Sequence, residues 1–196
     1  MKKTIFFLLS LSLSSFALDN GDQAPAFELK GHPKNIKSKN ILQESKYMVI
    51  EWYNDGCPFV RKHYDSQNIP KLQKKYKDRV NWVVVNSSAE GKQGHIANLE
   101  KATELYSKEQ MSSLSLLMDN NGDVGQAYGA KTTPHFFIVD PAGKIVYQGA
   151  IDSIPSAYKE DIAKADNYVS QALDEVLAGK KVTTAKTRPY GCSVKY

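Results

Sequence analysis

The chain has 196 residues, 41% of them hydrophobic and 24% charged, with a formal net charge of +5, which suits one globular domain with extensions and a real core. Arginine occurs only at Arg61, Arg79 and Arg188. The densest basic group, Lys71, Lys74, Lys75 and Lys77, reads as a solvated helix face. No nucleic-acid surface is expected.

The first residues stand apart. Lys2 and Lys3 precede the apolar run Ile5 to Leu9, and Ser15-Phe16-Ala17 puts small residues at the positions a signal peptidase reads. Residues 1–17 therefore read as a secretory signal peptide. A membrane anchor needs roughly 20 apolar residues, and the serines after Leu9 cut the run short. The expected product is exported, periplasmic or secreted, with no stable membrane anchor. Without Lys2 and Lys3 it carries 24 basic against 21 acidic side chains, a net charge of +3.

Residues 18–40 are polar, with a short edge strand expected over 26–29. Residues 47–53 form an apolar, β-branched and aromatic run that reads as a buried strand. Asn54-Asp55-Gly56 breaks it with turn chemistry. Cys57 then stands at the mouth of a helix, with Pro58 suited to the first turn. A cysteine there faces unpaired backbone N–H groups and the positive end of a helix dipole. Both favour thiolate, the reactive form.

That helix is expected to continue to residue 76, with Pro70 kinking or dividing it. Residues 81–86 read as a second strand covered on both sides, and 87–94 as a polar loop. A helix over 96–108 would turn Leu99, Ala102, Leu105 and Tyr106 inward. Residues 115–118 form a short strand. Asp119 to Asp123 resembles a calcium loop, but its glycine is misplaced and the closing glutamate is missing, so it reads as a turn. Residues 124–128 make a brief helical turn, and 135–149 a hairpin around Pro141-Ala142-Gly143. A last helix lies within 156–178, strongest from Asn167, closed by Gly179. The tail, 180–196, is polar, aperiodic and expected to be flexible. Strands alternating with helices, then a hairpin and a final helix, give an α/β fold with a central mixed β-sheet flanked by helices. The domain is read as 18–179.

The two cysteines, Cys57 and Cys192, lie far apart in an expected oxidising compartment. They form either a working redox pair or a structural staple worth roughly 4–5 kcal/mol on the chain-entropy model. Three features converge: Cys57 at a strand-to-helix junction, Thr132-Thr133-Pro134 just before a strand, and Glu51 inside an apolar strand. On these the sequence resembles the thioredoxin superfamily. It is similar in particular to the secreted peroxiredoxin-like redoxins of the alkyl hydroperoxide reductase/thiol-specific antioxidant type. The residues that carry the resemblance are Glu51-Trp52, Cys57-Pro58-Phe59-Val60-Arg61-Lys62-His63, the run from Gly129 to His135, and Arg188-Pro189-Tyr190-Gly191-Cys192-Ser193-Val194-Lys195-Tyr196.

The resemblance implies a thioredoxin-like fold, an antioxidant or thiol-exchange activity, Cys57 as attacking cysteine and Pro134 as the cis proline beside it. It makes Glu51 the buried acid behind the sulfur, where an apolar setting raises a carboxyl pKa and allows proton exchange with a thiol. Val60 stands where thioredoxins carry a second cysteine, so local Cys-x-x-Cys cycling is excluded. Ile50 and Asn54 stand where peroxiredoxins have a proline and a threonine or serine that bind peroxide. Arg61 and the lack of a second nearby thiol set aside copper delivery.

The expectation is a thiol oxidoreductase without cofactor or metal. Cys57 attacks a peroxide or a protein disulfide, Cys192 resolves the intermediate, and an external thiol reductant restores the pair. Pro58, Asn54, Thr133 and Arg188 are the candidate substrate contacts, Asn54 as a hydrogen-bond donor and Arg188 as a positive charge. His63 and His135 read as tuning or scaffold residues. The alternative is a non-catalytic secreted module with a permanent Cys57–Cys192 bond.

Overall fold

The computed structural model describes residues 18–44 and 46–196; the signal-peptide reading of 1–17 lies outside them. In chain order the elements are β1 (Glu28–His32), β2 (Ile36–Lys37), α1 (Ser38–Leu42), β3 (Tyr47–Trp52), α2 (Pro58–Asp65), α3 (Asn68–Tyr76), β4 (Val80–Asn86) and α4 (Leu99–Lys108). There follow β5 (Ser115–Met118), α5 (Asp123–Tyr128), β6 (Thr132–Thr133), β7 (His135–Val139), β8 (Ile145–Gly149), a 3-10 turn (Lys159–Lys164), α6 (Tyr168–Leu177) and β9 (Cys192–Ser193). Among the described residues, no helix is long and apolar enough to cross a membrane.

The main sheet runs β2-β1-β5-β4-β3-β7-β8. β3, β4 and β5 are mutually parallel neighbours, while β1, β7 and β8 join antiparallel. The sheet is therefore mixed, with helices on both faces. Alternation along β3 assigns the sides. Val49 and Tyr53 pack with Val60 and Tyr64 of α2, Ile69 of α3, Leu105 of α4 and Leu173 of α6. Met48, Ile50 and Trp52 point the other way, toward Ile41 of α1 and Tyr128 of α5. Each fully buried apolar side chain in these layers contributes about 1.5–3 kcal/mol.

Several expectations need correction. The strand expected at the edge over 26–29 starts at Glu28 and is not an edge, because β2 covers its outer side and β5 its inner side. The long helix is divided, but at Gln67, which adopts a left-handed φ of 58°. Pro70 sits in the first turn of α3, where helix N–H groups lack intrahelical acceptors and a missing donor costs little. Leu99 does not turn inward: it is 47% exposed at the start of α4, while Ile96 in the preceding loop fills the core. Asp119 to Asp123 is a turn, as expected, in which the Asp119 carboxylate accepts from the backbone N–H groups of Val124 and Gly125 and from Ser87 Oγ.

The largest departure is the tail, which is strapped along the domain. Gln148 N donates to Ala185 O and Thr187 N donates to Gln148 O. β9 pairs with β6, Val194 N donates to Lys131 O, and Ala89 N donates to Lys195 O. Tyr196 Oη donates to Ala130 O at 2.8 Å. An aperiodic polar segment holds here through scattered backbone bonds, which leave no repeat in its sequence.

Candidate active site

The strand-to-helix corner is built by Asn54. Its Oδ1 accepts from Gly56 N at 2.9 Å and its carbonyl accepts from Cys57 N at 3.1 Å. Its Nδ2 donates to Ser88 Oγ at 3.1 Å and to Gln93 O at 2.9 Å. With both amide hydrogens committed and the residue buried, Asn54 shapes the turn and is not free to donate to a substrate, contrary to the expectation.

Cys57 is the N-cap of α2, and its carbonyl accepts from Val60 N and Arg61 N. Pro58 occupies the first helical position, exposed. The Cys57 sulfur is sealed, at 0% exposure. As a thiol it donates to Thr133 O at 3.0 Å. The Thr133–Pro134 peptide is cis, and Thr133 pairs with Cys192 across the β6–β9 ladder. The fold thus brings Cys57, Thr133, Pro134 and Cys192 together, from three separate parts of the chain. Both cysteines are free thiols, Cys57 buried and Cys192 half-buried.

Their electrostatics are opposite. Burial pushes the Cys57 thiol up, but hydrogen bonds from the Cys192 thiol, Thr133, and the Cys192 and Val60 backbone outweigh it, so the pKa lies below the ordinary thiol value. The Thr133 hydroxyl is buried without a partner of good hydrogen-bond geometry and is the remaining donor near this sulfur. Cys192 is pushed up to about 12, by burial first and then by its bond to Cys57 and the charge there. Of the two sulfurs, Cys57 is therefore the more readily ionised and Cys192 the one that holds its proton.

Glu51 lies on the Cys57 side of β3, sealed in the core. Tyr64, on the helix that Cys57 begins, donates to Oε1 at 2.8 Å, and Trp82 Nε1 donates to Oε2 at 2.8 Å. Burial raises its pKa to about 7, against the hydrogen bonds from Tyr64, Trp82 and Gln73 that favour the charged form. It is a carboxyl poised to hold or release a proton near neutrality. His135 and His63 are neutral: burial lowers them to about 3 and about 4. Each sits in a scaffold contact, His135 Nδ1 accepting from Lys131 N and His63 Nδ1 meeting Asn68 Nδ2.

Arg188 is exposed. It lines a cleft of about 540 Å³ together with Thr132, Asp152, Tyr168, Tyr190 and Gly191. Sequence reasoning missed two groups. One is Arg61, paired bidentately with Glu109 at 2.8 and 2.6 Å, with Tyr53 Oη donating to Glu109 at 3.3 Å. The other is the sealed pair Lys62–Asp152, at 3.2 Å, which meets the tail at Tyr190. Lys62 and Tyr190 fall inside segments already singled out; nothing in the sequence marks Asp152 or Glu109.

The redoxin family model matches residues 19–169, a span that ends before Cys192. Among solved structures, an uncharacterized conserved protein from Geobacillus kaustophilus is 26% identical with a TM-score of 0.73, covering 91% of this chain and 92% of that one. A hypothetical protein from Sinorhizobium meliloti 1021 is 24% identical with a TM-score of 0.74, covering 92% and 96%. A candidate thiol:disulfide interchange protein DsbE from Chlorobium tepidum is 25% identical with a TM-score of 0.52, covering 67% and 85%. No match was found among curated proteins. The family match takes in Glu51, Cys57 and Pro134 together on a thioredoxin-like sheet, and the chain belongs to the redoxin family of the thioredoxin superfamily.

Proposed function

We propose that this chain is an exported thiol oxidoreductase that exchanges disulfides, with Cys57 attacking and Cys192 resolving. The observation that carries the reading is the meeting of two free thiols around Thr133, which accepts from the Cys57 sulfur and pairs with Cys192 across the β6–β9 ladder, with the Cys57 pKa lowered and the Cys192 pKa raised to about 12. The Cys57 thiolate attacks one sulfur of a substrate disulfide, forming a mixed disulfide and releasing the other sulfur as a thiolate. Cys192 gives its proton to that leaving group and attacks the Cys57 sulfur, releasing the second substrate thiol. Two electrons pass to the substrate and the Cys57–Cys192 bond forms. An external thiol reductant reverses the change.

Disulfide exchange is favoured over peroxide reduction by Asn54, whose donors are spent on Ser88 and Gln93, leaving that position without a group to polarise a peroxide. The likeness to a structure titled as a thiol:disulfide interchange protein supports the same choice. A permanent clasp is disfavoured by the half-buried Cys192 on a two-residue strand. The Cys57 sulfur is buried and Cys192 lies against Thr133 beside it, so on this reading substrate reaches the sulfur when β9 leaves β6. The charged, apolar and small-residue pattern of residues 1–17 supports export, checked by recovery of the processed chain from the periplasm.

The test mixes reduced protein with a peptide disulfide or with hydrogen peroxide, quenches with acid, and reads the products by mass. Oxidation by the peptide disulfide is expected to be the faster. Cys192→Ser should accumulate a mixed disulfide on Cys57, and Cys57→Ser should be inert. Full activity in Cys57→Ser would end the proposal, and faster oxidation by peroxide would replace disulfide exchange with a peroxidase.

A further inference from the structure

Tyr190 takes no part in the sulfur chemistry, yet its phenol meets three polar side chains of the domain. Its phenol oxygen donates to Asp152 Oδ1. Lys62 Nζ donates to the Tyr190 phenol oxygen at 3.5 Å, and His63 Nε2 lies 3.4 Å from that phenol oxygen. The ring packs edge-on against Phe59, with centroids 5.8 Å apart. The receptacle is costly: Lys62 and Asp152 have side chains 0% and 2% exposed and pair at 3.2 Å. A buried ion pair gains little stability over an apolar contact of the same size. What it supplies is direction, since several polar groups converge on one oxygen.

The placement connects that oxygen to the reacting sulfurs. α2 carries Lys62 and His63 and begins at Cys57, so the helix that grips Tyr190 also bears the sulfur that Cys192 must meet. Gly191 alone separates Tyr190 from Cys192. Its φ is +139°, and a Cβ there would stand 2.1 Å from Thr133 O. The link is short and pressed against β6, so fixing the phenol fixes Cys192.

We propose that Tyr190 is a positioning residue: it latches the tail onto Asp152, Lys62 and His63 and thereby sets the effective concentration of Cys192 at Cys57. The inference rests on the redox reading of the two cysteines. The polar receptacle also makes the latch releasable. When the tail lifts to admit a substrate, water can replace the phenol on Asp152 and Lys62, whereas an apolar socket would be left exposed.

Removing one hydrogen bond to a charged group lowers the docked population about ten- to a hundredfold. The test has two arms. The first equilibrates wild type, Tyr190→Phe and Asp152→Asn in glutathione buffers, where the protein dithiol and oxidised glutathione exchange two electrons to give the Cys57–Cys192 bond and two reduced glutathiones. The second follows alkylation of Cys57 in a Cys192→Ser background with and without each change.

Tyr190→Phe is expected to lower the equilibrium constant at least tenfold and to speed Cys57 alkylation by a similar factor, as the seal opens. Asp152→Asn, which removes the charge that the phenol donates to and also leaves the buried Lys62 without its partner, should move both in the same direction by at least as much. Wild-type values in both arms for folded variants would overturn the latch, since a purely structural role changes unfolding and neither readout. Wild type that forms no Cys57–Cys192 bond would instead overturn the redox reading, and alkylation alone would then decide the latch.

Discussion

Glu51→Gln isolates the energetics of the buried carboxyl. In the fold its pKa rises from 4.5 to about 7, with burial as the dominant cause. At about 1.4 kcal/mol per pH unit, this corresponds to about 3 kcal/mol favouring the protonated form in the folded state. The folded chain holds this proton more tightly than the unfolded chain. Its contribution is therefore fully present below pH 4.5 and lost as pH rises through about 7. Glutamine keeps the shape and removes the titration. Its carbonyl can accept from Trp82 and Gln73, while the Tyr64 hydroxyl reverses to accept from its amide. Urea unfolding of wild type and variant at about pH 5 and about pH 8 should show the difference moving by about 2–3 kcal/mol in favour of the variant at the higher pH. A difference that stays constant across that range would refute a buried, proton-holding Glu51.

Gly191→Ala places a methyl group 2.1 Å from Thr133 O at a φ of +139°, so the tail must leave β6. Formation of the Cys57–Cys192 bond, followed by acid quench and mass, should slow at least about tenfold, while the denaturation midpoint of the core stays near wild type. His63 and His135 are held neutral to about 4 and about 3, whereas their unfolded counterparts take up protons near 6.5. Their contribution is present above 6.5 and lost as pH falls, and Glu51 offsets one of the two. Stability measured by urea titration should drop by about 1.4 kcal/mol per pH unit between 6.5 and 4.5, and about twice as steeply in Glu51→Gln. Glu109→Ala strips Arg61 of a bidentate partner at 2.8 and 2.6 Å. Since Arg61 keeps 24% exposure, the expected loss is about 2–3 kcal/mol of unfolding free energy, read by denaturant melts.

The sheet was legible where its local chemistry is strong. The apolar run into β3, the turn at Asn54-Asp55-Gly56 and the β7–β8 hairpin around Gly143 announce themselves through alternation and turn residues. Cys57 was legible for the same reason, being a nucleophile at a strand-to-helix corner. Gln67 was not, because a left-handed residue that is not glycine leaves no mark in composition. Nothing local in the sequence marks Lys62 as buried, and its partner Asp152 lies 90 residues away. The role of Asn54 was misread because its partners Ser88 and Gln93 lie on a loop that no periodicity ties to the corner. Tail docking escaped notice since it depends on a two-residue ladder and on scattered single hydrogen bonds. Long-range polar pairing defines the rim of this site, and such pairing is written in three dimensions only.

Titration of the two thiols of the reduced protein tests the central claim most directly, by ultraviolet thiolate absorbance with alkylation to assign each step. One sulfur, Cys57, should ionise below the ordinary thiol value and the other only near 12, and Cys192→Ala should move Cys57 upward by removing its strongest hydrogen-bond donor. Two thiols ionising together at the ordinary value, with Cys57 unmoved by that substitution, would contradict the account.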